Sequence, residues 1–318
     1  MTIRTKIAAF ATASALAVLP VGASAAEFVN ILTGGTSGVY YPIGVALSKI
    51  YAGAMPDAKV QVQSTKASVE NLNLLQQGKG EIGIALGDSV KLAVEGDADV
   101  GFAQPLDKLR GISAMYPNFI QIVASKESGI TTLADLKGKA VSVGAPKSGT
   151  ELNARAILAA AGMSYDDLGK VEYLPFGESV ELMNNRQLDA TLQSAGLGVA
   201  SLKDLSTSIP ISVVSVPADV AEKLGAPYVA KDIPAGTYDG QDADVPTVAV
   251  INFLVSSTHV SDGMAYAMTK SMYENLDALK AAHAAAADID PANAVAGMPV
   301  PLHPGAKKYY DEQGIKTE

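Results

Sequence analysis

Short runs rich in β-branched residues alternate with segments of helical spacing along most of this chain. Phe28–Leu32 is predicted as a strand, and apolar residues at 40, 43, 47 and 50 follow it at helical spacing. Lys59–Gln63 is a second predicted strand, and a short helix and a third strand at 81–86 come after it. This alternation is typical of parallel sheets covered by helices, and it predicts an α/β fold.

The same pattern restarts around a second centre and then returns. Further strands are predicted at 120–124, 140–143, 171–174, 189–192, 210–216 and 247–251. A long amphipathic helix is predicted from about 261 to 286, and a short one from 304 to 314. About 290 residues exceed what one core usually holds, so two lobes are expected. We place the crossovers near 116–121 and 236–247, which puts 26–118 plus 242–318 in lobe I and 119–241 in lobe II.

The first 25 residues have the features of a signal peptide. Two basic residues precede an apolar run, and Ala23-Ser24-Ala25 supplies the small residues that signal peptidase requires. The alternative is a retained membrane anchor, but the run is shorter than the roughly 20 apolar residues that span a bilayer. We therefore expect cleavage after Ala25 or Ala26 and a periplasmic protein.

The composition excludes several classes of function. The net charge is −9, and it becomes −11 when the leader and its two cations are removed, so nucleic acid is not expected as a partner. The chain has no cysteine and only three histidines. Disulfides, thiolate metal sites and cysteine nucleophiles are therefore excluded, and neither a catalytic centre nor a cofactor or metal is predicted.

The first candidate binding loop follows the first strand. In the run Gly35-Thr36-Ser37-Gly38, glycines allow close approach of a ligand, while the hydroxyls and the free amides of the next helix can bind a carboxylate. The alternative is an ordinary strand-to-helix turn. Tyr40 and Tyr41 come next, and one ring of such a neighbouring pair is expected to face the ligand.

Polar residues follow the next two strands. Ser68 and Asn71 flank a predicted helix start, and Asp88 comes just after the third strand. Each could contact a ligand, and the Asp88 carboxylate would favour an amino group. Helix capping explains Ser68 and Asp88 equally well.

The second lobe repeats this chemistry. Ser148-Gly149-Thr150 places hydroxyls and a glycine at a helix start, with a capping box to Glu151 as the alternative interpretation. Phe176 and Gln193 lie at strand ends and are further candidates. Two such helix starts in opposed lobes could hold a small anion between them.

With these segments in view, the chain resembles the TAXI family, the solute-receptor branch of the TRAP transporters. The resemblance covers essentially the whole chain after the leader. It is carried by the stretches 33–42, 68–72, 84–88, 133–139 and 144–150, and by His303-Pro304-Gly305-Ala306 with Tyr309-Tyr310.

The resemblance implies a two-lobed, periplasmic binding-protein-like fold of type II, with two crossover segments as the hinge. It also implies a monomeric receptor that captures an amino acid or dicarboxylate-like acid, such as glutamate, and delivers it to TRAP membrane permease subunits. By the same resemblance, 36–41, Asn71, Asp88 and 148–150 would contact the ligand. A periplasmic sensor with this fold and an exported hydrolase are the alternatives.

Overall fold

The computed structural model describes residues 27–317, and within that range it is an α/β protein. The strands are β1 (Phe28–Leu32), β2 (Lys59–Gln63), β3 (Ile82–Leu86), β4 (Leu109–Ser125), β5 (Ala140–Ser142), β6 (Lys170–Glu172), β7 (Ala190–Ala195), β8 (Ile211–Val214), β9 (Val229–Ile233) and β10 (Val245–Ser257). The helices are α1 (Tyr40–Ala54), α2 (Ser68–Gln76), α3 (Gly87–Glu95), α4 (Gly149–Ala160), α5 (Phe176–Asn184), α6 (Ala200–Ser208), α7 (Ala218–Leu224), α8 (Asp262–Glu274), α9 (Leu276–Ala282) and α10 (Pro304–Gln313).

The described range begins after the predicted leader. Signal-peptide residues 1–25 therefore lie outside the described residues. From residue 27 to 317, none of the helices has the length and hydrophobicity needed to cross a bilayer.

Two long antiparallel strands, β4 and β10, run through both lobes and join them. On one side the order is β2-β1-β3-β10, with parallel pairs among the first three strands. On the other side β4 continues to β7, β5 and β6, while β8 pairs with β4 and β9 with β10. The β4–β10 ladder shifts register between Ile251 and Phe253 and again between Leu254 and Val255. Such irregularities bend strands and increase their twist, so one continuous sheet can bend as it passes from one lobe to the other.

Apolar side chains fill a core in each lobe and the region where the lobes join. One cluster, which includes Ile120 and Ile157, lies in the second lobe. Another, which includes Leu72 and Phe253, lies in the first. The largest cluster crosses β4 and includes the fully buried Tyr116. The α/β class and the two predicted lobes are therefore present.

Some elements differ from the sequence-based prediction. The predicted helix 261–286 is broken at Asn275, whose φ and ψ are −130° and 32° and whose Nδ2 donates to the carbonyl of Ser271 at 2.8 Å. Asn side chains compete for backbone groups in this way, which ends helices. The strand predicted at 120–124 begins earlier, at Leu109. Glycine and proline are unfavourable inside strands, so Gly111 and Pro117 obscure the strand pattern of its first half. Pro117 pairs with Ile251, next to the register shift. The strand β9 lies where no strand is predicted from the sequence.

Candidate functional site

A cavity of about 410 Å³ lies between the two lobes. The first lobe and the crossing strand contribute residues 34–40, 64–68, Leu86 and Asn118. The second lobe contributes Ala145, 148–150, 175–178, Glu181 and 194–195. Most of these positions follow the carboxyl end of a strand, which is where open α/β sheets bind ligands. The volume suits a small organic molecule.

Four helices begin at this cavity, two from each lobe. Residues of the first turn or the preceding cap of α1, α2, α4 and α5 are all part of its wall. The first amides of a helix have no intrahelical acceptor and carry a partial positive charge. The caps of α1, α2 and α5 form no side-chain hydrogen bond, whereas Ser148 Oγ accepts from the Glu151 amide at 3.1 Å. The cavity is thus built to attract negative charge.

Loops from opposite lobes face each other across the cavity mouth. The loop at 34–38 is closed by the Gly38 amide, which donates to the Gly35 carbonyl at 3.1 Å. A Cβ at Gly38 would lie 3.7 Å from the Phe176 ring, and one at Gly177 would lie 3.4 Å from Ser37 Oγ. At these distances an added Cβ would be in van der Waals contact with the opposite loop, so the two loops approach each other closely across the mouth.

The floor of the cavity is a hydrogen-bonded chain across β4 and β10. The Tyr40 hydroxyl donates to Asn252 Oδ1 at 2.5 Å, and Asn252 Nδ2 donates to Asn118 Oδ1 at 2.8 Å. Asn118 Nδ2 in turn donates to the Ser194 carbonyl at 2.9 Å. Burial raises the pKa of Tyr40, so its hydroxyl stays protonated as a donor. The Ser194 Oγ is buried and has no hydrogen-bond partner among the described residues.

Charged side chains surround the cavity mouth. Among the described lining residues they are Lys66 from the first lobe and Glu178 and Glu181 from the second, and all three are exposed. A positive and a negative side therefore face the same space.

The lobes touch beside the cavity. The Glu70 amide donates to the Lys147 carbonyl at 3.3 Å. A Cβ at Gly149 would lie 2.5 Å from Leu86 Cδ1 and 2.6 Å from Ser68 Oγ, closer than real Cβ contacts. The structure is therefore a closed arrangement that only a glycine at 149 permits without displacement.

Comparison with known proteins fits this geometry. The model of the NMT1-like family matches residues 31–314. The chain belongs to the NMT1-like family.

Solved structures share the fold of this NMT1-like protein. The periplasmic binding protein BugD is 8% identical with a TM-score of 0.58, over 91% of this chain and 98% of that one. PhnD1 from Prochlorococcus marinus (MIT 9301), solved in complex with methylphosphonate, is 12% identical with a TM-score of 0.53, over 92% of each chain. At such identities the similarity concerns the fold alone. The fold is that of two-lobed periplasmic binding proteins, as predicted.

Ten of the fourteen predicted site residues line the cavity of the NMT1-like protein. They are Gly35, Thr36, Ser37, Gly38, Tyr40, Ser68, Ser148, Gly149, Thr150 and Phe176. Of the two neighbouring tyrosines, Tyr40 faces the cavity. That these residues contact a ligand stays a prediction.

The structure places the other four predicted residues outside the lining. Tyr41 is half-buried in the first turn of α1, outside the wall. Asn71 is buried, and its Nδ2 donates to the carbonyls of Thr33 and Ile84 at 2.7 and 2.9 Å, which fixes the loop after β1. The other two, Asp88 and Gln193, are also buried.

Gln193 lies outside the cavity wall, although the next two residues of its strand, Ser194 and Ala195, are part of it. Its Oε1 accepts from Ser201 Oγ at 2.6 Å. Sequence reasoning located the strand end correctly but selected the neighbour of the lining residue.

Asp88 connects the lobes instead of facing the cavity. Its carboxylate accepts from the Ser89 amide at 2.7 Å, from Asn153 Nδ2 at 2.5 Å and from the Tyr228 hydroxyl at 2.8 Å. Burial raises the pKa of this carboxyl, and the three donors partly oppose the shift. Asp88 therefore lies outside the cavity wall, and its contact with a ligand amino group stays a prediction.

Several lining residues were missed. Residues 64–67 follow the end of β2, so the strand-end rule that singled out 34–38 would also have found Lys66. Lys147, which directly precedes the candidate segment 148–150, is exposed and lies outside the lining, whereas Lys66 is the lysine of the described wall. Asn118 carried no such signal, because it lies inside β4 and reaches the cavity only through strand pairing.

Proposed function

We propose that this protein is a solute receptor that encloses one small carboxylate-bearing molecule, such as the amino acid glutamate, and delivers it to a membrane permease without chemical change. The observation that carries the proposal is the convergence of four helix starts, two from each lobe, on one cavity of about 410 Å³. Amides and helix dipoles at such a point bind anions. Because the two lobes contribute equally, closure completes the site.

The charges at the mouth favour an amino acid over a simple dicarboxylate. A carboxylate held by the helix starts would gain from Lys66, while an ammonium group would gain from Glu178 and Glu181. The exposure of all three side chains weakens each attraction through solvent screening. They therefore orient the solute, and the buried amides supply most of the affinity.

The exported hydrolase is the less favoured alternative. A serine nucleophile requires a neighbouring base, and the described lining brings no histidine to its serine and threonine hydroxyls. Tyr40 and Asn118, which line the floor of the cavity, each already donate a hydrogen bond to a neighbouring residue.

We further propose a periplasmic location after signal-peptide cleavage, and a hinge at the two crossings of β4 and β10. Lobe I would comprise 26–118 plus 242–318, and lobe II 119–241. The similarity to the TAXI receptors favours a TRAP permease as the partner. Reconstituted with the permease encoded beside it, the receptor is expected to support uptake that depends on an ion gradient and not on ATP.

Calorimetric titration tests the ligand. We expect L-glutamate or a related amino acid to bind, a neutral sugar not to bind, and Lys66→Met to weaken binding several-fold. Native mass spectrometry of protein from cells would identify a solute retained through purification. Binding of neutral solutes alone would overturn the proposal, and a sensor kinase gene in place of a permease gene would favour the sensor.

A further inference from the structure

Three polar side chains meet across the lobes away from the cavity. Asp88 lies in the first turn of α3, in lobe I, while Asn153 lies in α4 and Tyr228 follows α7, both in lobe II. Asn153 Nδ2 and the Tyr228 hydroxyl donate to the same oxygen, Asp88 Oδ2, at 2.5 and 2.8 Å. Asn153 Nδ2 also lies 2.9 Å from the Tyr228 hydroxyl, so each pair of the three is in contact.

The two carboxyl oxygens of Asp88 accept hydrogen bonds from different lobes. Oδ1 accepts from the Ser89 amide of its own helix at 2.7 Å, and Oδ2 accepts from the two donors of the other lobe. Asp88 is 5% exposed and Asn153 is fully buried. Within residues 27–317, no lysine, arginine or histidine forms an ion pair with Asp88. A carboxyl buried in this way depends on its hydrogen-bond donors, and two of the three exist only while the lobes are closed.

None of the three side chains lines the cavity. We propose that Asp88, Asn153 and Tyr228 form an inter-lobe clasp, a set of positioning residues that stabilises the closed receptor and slows release of the captured solute without touching it. The effect on release rests on the proposed function, whereas the effect on lobe closure does not.

The clasp makes a kinetic prediction. Its contacts are absent from the open form, so weakening them raises the rate of opening and of solute release. The association rate constant depends on the open form and stays unchanged. By contrast, substituting a residue that contacts the solute directly would change binding without changing the balance of open and closed forms in the absence of solute.

Because the chain has no cysteine, spin labels attach only to cysteines that are introduced. Lys91→Cys in α3 and Glu222→Cys in α7 place two labels at exposed positions on opposite lobes. Distances between them are measured by pulsed electron paramagnetic resonance, without ligand and with L-glutamate. Tyr228→Phe removes one donor and keeps the ring. Asn153→Asp places a second carboxyl against Asp88.

We expect the doubly labelled parent to show a short-distance population. Tyr228→Phe should reduce the ratio of short to long distances about tenfold, as loss of one hydrogen bond to a buried carboxyl does. Asn153→Asp should abolish the short distance. Stopped-flow release of L-glutamate should accelerate about tenfold in Tyr228→Phe at an unchanged association rate. Tyr173→Phe, an exposed tyrosine of the same lobe, is the matched control and should match the parent.

The outcomes separate the two proposals. Unchanged distances and unchanged release in Tyr228→Phe would overturn the clasp, and so would a parent with only the long distance in both conditions. A short-distance population that responds to Tyr228→Phe but not to L-glutamate supports the clasp and rejects glutamate as the solute.

Discussion

A methyl group at Gly149 should prevent closure while leaving both lobes folded. In Gly149→Ala the new Cβ would lie 2.5 Å from Leu86 Cδ1 and 2.6 Å from Ser68 Oγ, about 1 Å inside normal contact. Both neighbours are buried, and Ser68 Oγ also accepts from the Leu86 amide at 3.1 Å, so neither moves freely. Overpacking of this kind costs about 1–3 kcal/mol, which reduces ligand affinity about five- to 150-fold.

The assay compares affinity, compaction and stability in one set of proteins. Titration calorimetry with L-glutamate gives the affinity, and small-angle scattering gives the compaction on binding. Gly149 opens α4 with ordinary helical geometry, so alanine should leave the urea midpoint of unfolding unchanged or slightly higher. The matched control is Gly263→Ala, also in the first turn of a helix, where a Cβ meets nothing within 4 Å. Weakened binding with full compaction would refute the steric argument, as would unchanged affinity.

Three further substitutions test the floor of the cavity and a surface cap. Ser194→Ala should weaken binding of L-glutamate several-fold in calorimetry without changing the urea midpoint, because Ser194 Oγ has no partner among the described residues. Tyr40→Phe should lower the free energy of unfolding in urea by about 1–3 kcal/mol, because it leaves Asn252 Oδ1 without its tyrosine donor in a buried network. Hydrogen bonds from the amides of Thr131 and Thr132 lower the pKa of Asp135 to about 2. The stability that these bonds provide is present above the ordinary pKa near 4 and is lost as the pH falls towards 2. Asp135→Asn should therefore make the urea midpoint depend less steeply on pH between those values. An equally steep pH dependence in this variant would contradict the assignment.

Local chemistry allowed much of the site to be predicted. Glycine and hydroxyl residues just after a strand predict a helix start with free amides, and the segments at 35–38 and 148–150 both lie in the cavity wall. The same reasoning could not choose between adjacent residues at the end of β7. Whether Gln193 or Ser194 lines the cavity depends on how the end of β7 packs against the rest of the protein, which sequence spacing does not determine.

The alternation of strands and helices was sufficient to specify an α/β protein, because hydrophobic periodicity is a local property of the chain. The length of the chain was sufficient to indicate two lobes. Tertiary structure alone decided the partners of Asp88. A carboxylate after a strand can cap a helix, bind a ligand or join two lobes, and its residue type is the same in each case. The choice depends on Asn153 and Tyr228, which lie 65 and 140 residues away along the chain and reach Asp88 only when the lobes close. Sequence spacing contains no record of such a contact, since the distance between residues in a fold is set by packing and not by their separation along the chain.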